Sequence, residues 1–237
     1  MTDVHCHVSS GEPEVREFLI GRDFVGIHPW ETLGDAAPGG GLRYGVDHLH
    51  STLKTLRSSL AANAALGVGE IGLDRLKEKN VSPLMREVFE KQLQLALEFN
   101  RPVVLHGAKC WGQVVEAVLK ELLRRQPQPS TSTFLFHGFS RSDGLIPDIV
   151  KLGGYISVGP AVLNDHAVNY RELVKKIPLD RLVVETDRTV PPPSSGAGAD
   201  TPSIREILTK TAEIRGLPAA ELEAITDENA TRFIRGI

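Results

Sequence analysis

A parallel α/β barrel is the fold class the sequence predicts, and three observations lead there. Seven short apolar runs alternate with helix-like segments, the pattern of repeated βαβ units. Acid or imidazole side chains stand at or just beyond the ends of five of those runs, at His5, His7, Glu70, His106, His137 and Asp187. The 237 residues match the length one such barrel commonly takes, so a single domain over 1–237 is expected.

The runs fall at 3–8, 24–28, 65–71, 102–106, 134–137, 155–158 and 182–185. In the first, strand alternation aims His5 and His7 at one point and turns Cys6 away from them. The clearest helix is 84–99, where Ser82 caps, Pro83 suits the first turn and Val88, Leu93, Leu95, Ala96 and Phe99 recur. Asn100 then suits the helix exit. Ser203 and Glu206 have capping-box spacing and open a second helix, stopped after about Arg215 by Gly216 and Pro218. Residues 35–41 and 190–202 read as loops, and the second follows Asp187 directly, so it is expected over the site. One strand is missing from the count. Too few residues separate His7 from His28 for two complete βα units, so the second unit is expected to be lacking or not shown.

Composition narrows the class of protein. Hydrophobic residues at 41% and charged residues at 24% are ordinary for a globular chain that folds in water. A net charge of -3 supplies no global positive field, so a nucleic-acid substrate needs a local phosphate-binding surface or bound metal. Two cysteines, Cys6 and Cys110, argue against a disulfide-framed secreted domain. The chain opens on Met1-Thr2-Asp3 with no basic and apolar leader, and no apolar stretch approaches the roughly 20 residues that span a bilayer. An intracellular protein, cytoplasmic or nuclear, with no membrane partner is expected.

Each chemistry-bearing residue has a plain reading when taken alone. Strand histidines often bond only to backbone, Glu70 can be a solvated turn acid, and Asp187 can cap a helix or a turn. The set changes the balance, because burying four imidazoles without a common partner is costly. Four imidazoles and two carboxylates exceed the needs of one tetrahedral ion and fit two divalent ions with a carboxylate between them. Zn, Mn, Mg, Co and Fe all suit such donors, and the implied reaction is hydrolysis.

The ordered motifs resemble one family. Asp3-Val4-His5-Cys6-His7, Gly26-Ile27-His28-Pro29, Gly69-Glu70-Ile71-Gly72-Leu73-Asp74, Pro102-Val103-Val104-Leu105-His106, His137-Gly138-Phe139-Ser140 and Glu185-Thr186-Asp187 together resemble the TatD family of metal-dependent hydrolases. The form Gly-Ile-His-Pro-Trp is similar to a fungal branch that includes Cut9-interacting proteins. The resemblance implies a TIM-like barrel of the amidohydrolase superfamily and a binuclear metal centre. It also implies phosphodiester hydrolysis, as in a 3'-5' exonuclease-like deoxyribonuclease acting on DNA ends. It would give His5, His7 and Asp187 to one ion, His106 and His137 to the other, and Glu70 to the bridge between them. Asp187 would also take the proton of the attacking water. For Asp74 and Glu185, orienting and direct roles both stay open. Lys109, standing near the position where relatives carry Arg, and Arg188, after Asp187, are candidate phosphate contacts, and His28 with Trp30 is placed at the pocket mouth. The other readings are a hydrolase of a small ester, lactone or amide, and a barrel that works through a protein partner.

Overall fold

Residues 1–33, 46–125, 131–189 and 201–235 are described by the computed structural model. The loop read at 35–41, and 190–200 of the loop read at 190–202, lie outside them. Eight strands are found among the described residues rather than seven, two of them in a separate pair and six in one sheet. They are β1 (Thr2–Cys6), β2 (Arg16–Leu19), β3 (Phe24–Val25), β4 (Gly67–Asp74), β5 (Val103–Ala108), β6 (Phe134–Phe136), β7 (Gly154–Val158) and β8 (Leu182–Val184). The strand absent from the sequence reading is β2, whose residues Arg16-Glu17-Phe18-Leu19 carry two charges in four and are only partly covered. No apolar run marks such a strand.

Strands β3 to β8 pair in chain order, every pair parallel. Strand β1 pairs with β2 in parallel, with only residues 7–15 between them and no helix there. An Ile20–Phe24 bridge carries the edge of β2 on to β3. The strand of the second unit is therefore present, and what is lacking is a helix both between β1 and β2 and between β2 and β3, which corrects the expectation of a missing strand.

The ring closes where β1 meets the segment after β8. His7 N and Val8 N donate to Arg188 O at 2.8 and 3.1 Å, and Asp187 N donates to His5 O at 3.0 Å. Asp3 reinforces the join, accepting from Thr186 N at 3.0 Å and from Thr186 Oγ1 at 2.6 Å. These bonds fix His5, His7 and Asp187 relative to one another.

Seven helices complete the described structure: α1 (Val46–Ala62), α2 (Pro83–Glu98), α3 (Trp111–Arg124), α4 (Ile146–Lys151), α5 (Val168–Lys176), α6 (Ile204–Arg215) and α7 (Ala219–Arg235). Ser82 Oγ accepts from Met85 N at the start of α2, and Asn100 takes the left-handed conformation beyond its end, with φ 51°. Ser203 and Glu206 form the expected capping box of α6, and Gly216 ends that helix with φ 68°. The larger core lies between strands and helices, for instance Val68, Leu105 and Phe136 against Leu93, Val114 and Ile149. A second cluster contains Val104, Leu135, Tyr155 and Val183, with Phe233 of α7. Val104, Leu135 and Val183 stand two residues before His106, His137 and Glu185, so alternation puts these polar groups on the same inward face one layer higher. Apolar packing inside the barrel is thus the floor of the polar cluster.

Candidate metal centre

Glu70 is the hub of that cluster. It sits in β4 where the pairing with β5 shifts register between Val68 and Ile71, an irregularity that re-aims side chains. Its carboxylate is only 4% exposed and its two oxygens face different partners. Oε1 lies 2.5 Å from His106 Nδ1, 2.7 Å from His137 Nε2 and 3.5 Å from His28 Nε2. Oε2 lies 3.6 Å from His5 Nε2 and 3.5 Å from His7 Nε2. Asp187 Oδ1 completes the second side, 3.3 Å from His5 Nε2 and 3.6 Å from His7 Nε2. All six residues singled out in the sequence converge.

Electrostatics follow from this crowding. Burial opposes the charge on Glu70, but the His137 charge and hydrogen bonds from His106, His137 and His28 hold its carboxyl well below the usual carboxylate range. A hydrogen bond to Glu70 raises His7. Burial lowers His106 and His137, yet Asp74 and Glu70 lift the first, and Glu70 with Glu185 lifts the second well above its ordinary value. Asp187 is held low despite burial, chiefly by His5.

Two further carboxylates aim the imidazoles. Asp74 Oδ2 is 2.8 Å from His106 Nε2, which leaves Nδ1 for the cluster. Glu185 Oε1 accepts from Gly138 N at 2.8 Å and lies 3.7 Å from His137 Nδ1, leaving Nε2 inward. His28 works in a different way. Its Nδ1 accepts the Trp30 backbone N–H at 3.1 Å, so neutral His28 carries its proton on Nε2 and points a donor at Glu70.

The donors fit divalent metal. Within 4.8 Å of one another lie ligand atoms of His5, His7 and Asp187, of His5, Glu70 and His137, and of His28, Glu70 and His106. Both ring nitrogens of His5 are buried without a hydrogen-bond partner. Nε2 faces the Asp187 and Glu70 carboxylates at 3.3 and 3.6 Å without hydrogen-bond geometry, which is how a ligand nitrogen beside an ion would be placed.

The remaining expected site residues divide. Lys109 is exposed just beyond His106 and lines a cleft next to the cluster. Arg188 is only 5% exposed, its charge helps to lower Glu17, and its Nε is buried without a hydrogen-bond partner. Cys6 donates its Sγ–H to Phe18 O, Cys110 donates to Ala108 O, and burial raises both thiols, Cys110 to about 11. Neither is poised as a thiolate ligand. Trp30 has the strongest link to the site that the sequence did not show: its Nε1–H donates to Asp74 Oδ2 at 2.9 Å. A bond across 44 residues leaves no local signal.

A closed parallel barrel with imidazoles and carboxylates gathered at the C-terminal ends of its strands is the framework of a metal-dependent hydrolase. The family model described as TatD related DNase matches residues 21–235. Among similar proteins, the uncharacterized metal-dependent hydrolase YabD of Bacillus subtilis is 30% identical over 192 residues, covering 80% of this chain and 73% of that one. The 3'-5' ssDNA/RNA exonuclease TatD of Edwardsiella piscicida is 27% identical over 187 residues, covering 76% and 70%. The crystal structure of YjjV, a TatD homolog from Escherichia coli, matches with a TM-score of 0.68 at 24% identity, over 94% of this chain and 78% of that one. The chain belongs to the TatD family of metal-dependent hydrolases. No helix among the described residues is long and apolar enough to cross a membrane.

Proposed function

We propose that this chain is a phosphodiesterase that removes nucleotides from the end of a nucleic-acid strand, in the manner of a 3'-5' exonuclease. The observation that carries the reading is the division of Glu70: one oxygen faces His106 and His137, and the other faces the side held by His5, His7 and Asp187. A carboxylate divided in this way would suit two divalent ions, one on each side. His5, His7 and Asp187 would hold one ion and His106 with His137 the other. When bound, such ions would lower the pKa of a water and offset charge on a phosphate. The activity for which the Edwardsiella relative is named, on single-stranded DNA and RNA, supports the choice of phosphodiester over carbonyl substrates.

The chain's own groups have distinct tasks in this scheme. Asp187 has a side chain that is 44% exposed, the most open carboxylate of the cluster, and is held ionised. It takes the proton of the attacking water as the water oxygen bonds to phosphorus and the bond from phosphorus to the 3'-oxygen of the shortened strand breaks, that oxygen taking a proton from solvent while the phosphate leaves on the terminal nucleotide. His28, with its proton on Nε2, donates to the phosphate as charge builds on it. Asp74 and Glu185 hold His106 and His137 in register.

Purified protein loaded with Mn or Zn is expected to shorten single-stranded oligonucleotides from one end, and chelation is expected to stop it. Cleavage of a lactone, ester or amide panel with no attack on oligonucleotides would sink the reading. In the same assay Asp74→Asn should lower metal affinity or rate by about 10–100-fold, because it loosens the aim of His106 without removing a ligand.

A further inference from the structure

The rim beside the cluster carries groups that the hydrolytic chemistry leaves unused. Trp30 is 39% exposed at the site mouth, with its ring centroid 5.0 Å from that of His28. Its indole N–H is tied to Asp74, so the ring is fixed relative to His106 while much of its surface faces outward. The Lys77 ammonium lies over that ring, 3.3 Å from its centroid, on a flexible stem that can give way. Directly after Asp74 a cleft of about 730 Å³ opens, lined by Arg75, Lys109 and Arg141 and by no acidic side chain. On a chain of net charge -3, three cations without an acid mark a local anion-binding surface.

We propose that Trp30 is a base-stacking platform and that the Arg75, Lys109 and Arg141 cleft tracks phosphates, so that together they select an unpaired nucleic-acid end. This rests on the phosphodiesterase reading and adds to it the groups that recognise the strand end. An aromatic face offered at a pocket mouth stacks on a base that has left its neighbours, whatever its identity. Cations along a groove hold the backbone regardless of sequence. A paired blunt end keeps its terminal base stacked and hydrogen-bonded, and so gains nothing from Trp30 without first fraying.

The chain has two tryptophans, Trp30 exposed and Trp111 buried in the wall of the cleft, so quenching is assigned to Trp30 by its loss in Trp30→Phe. Metal-loaded protein titrated with a hydrolysis-resistant phosphorothioate oligothymidylate should be quenched, and Trp30→Phe should not. Both Trp30→Phe and Trp30→Ala lose the bond to Asp74, and only Phe retains a stacking face. KM for single-stranded oligonucleotide should therefore be about 10-fold higher in Trp30→Ala than in Trp30→Phe at equal kcat, with no such gap on blunt duplex. Arg141→Glu should weaken oligonucleotide binding and reduce its logarithmic salt slope by about one. Cleavage of oligonucleotides with one KM for both Trp30 variants and no quenching would overturn the platform and leave the phosphodiesterase reading standing. Quenching without cleavage of any nucleic acid would support the platform and remove the phosphodiesterase reading instead.

Discussion

Glu70→Gln is expected to lower metal-dependent hydrolysis by at least ~10²-fold while the protein stays folded. Loosening an outer partner of a metal ligand already costs about 10–100-fold, and Glu70 is itself the group on which both sides of the cluster converge. Glutamine keeps the volume of the side chain, so the barrel packing around it has no cause to collapse. What is lost is the charge that holds His7, His106 and His137 above their ordinary values. Chelated protein provides a separate readout. Histidines raised in the folded state contribute stability that is full below about pH 6.5 and is lost as pH rises through their folded values. The wild type should show that decline in urea midpoint above pH 6.5, and Glu70→Gln should show much less of it. Metal content by elemental analysis, turnover and circular dichroism together check the prediction; an active, metal-replete variant would contradict it.

Gly72→Ala is expected to cost several kcal/mol of stability and to displace His106. Gly72 has φ 151°, a region that side-chain-bearing residues seldom adopt, and a Cβ there would stand 2.0 Å from His106 O. Strand β4 pairs Gly72 with His106 directly, so neither strand can retreat without breaking the ladder that aims the imidazole. Denaturant unfolding should give a lower midpoint than wild type, and residual folded protein should bind metal weakly. Gly112→Ala in α3, where a Cβ would meet nothing within 4 Å, is the matched control with little expected change.

The sequence was most legible where a burial pattern and a chemical group coincided. His106 and His137 close apolar runs, and strand alternation alone puts them above Val104 and Leu135 in the barrel. The caps at Ser82 and Ser203 were equally readable, because capping is local chemistry. Strand β2 was not, since it lies partly exposed beside β1 and needs no apolar run. Strand β3 shrank to two residues for a related reason. Ile27 takes its backbone bonds from the Gln92 side chain of α2, at 2.6 and 3.0 Å, instead of from a neighbouring strand, and this turns the chain so that His28 enters the cluster. Partners 65 residues apart leave no mark in a local window. The division of Glu70 between two sets of imidazoles likewise depends on a register shift in β4, and the burial of Arg188 follows from the closing of the ring, which no local window shows.

His5, His7, Glu70, His106, His137 and Asp187 would together hold two divalent ions. Titration of chelator-stripped protein with Zn or Mn, followed by elemental analysis after gel filtration, tests it most directly. About two ions should be retained per chain, with loss of at least one in Glu70→Gln. Retention of no ion by the wild type, or equal retention by the wild type and the variant, would contradict it.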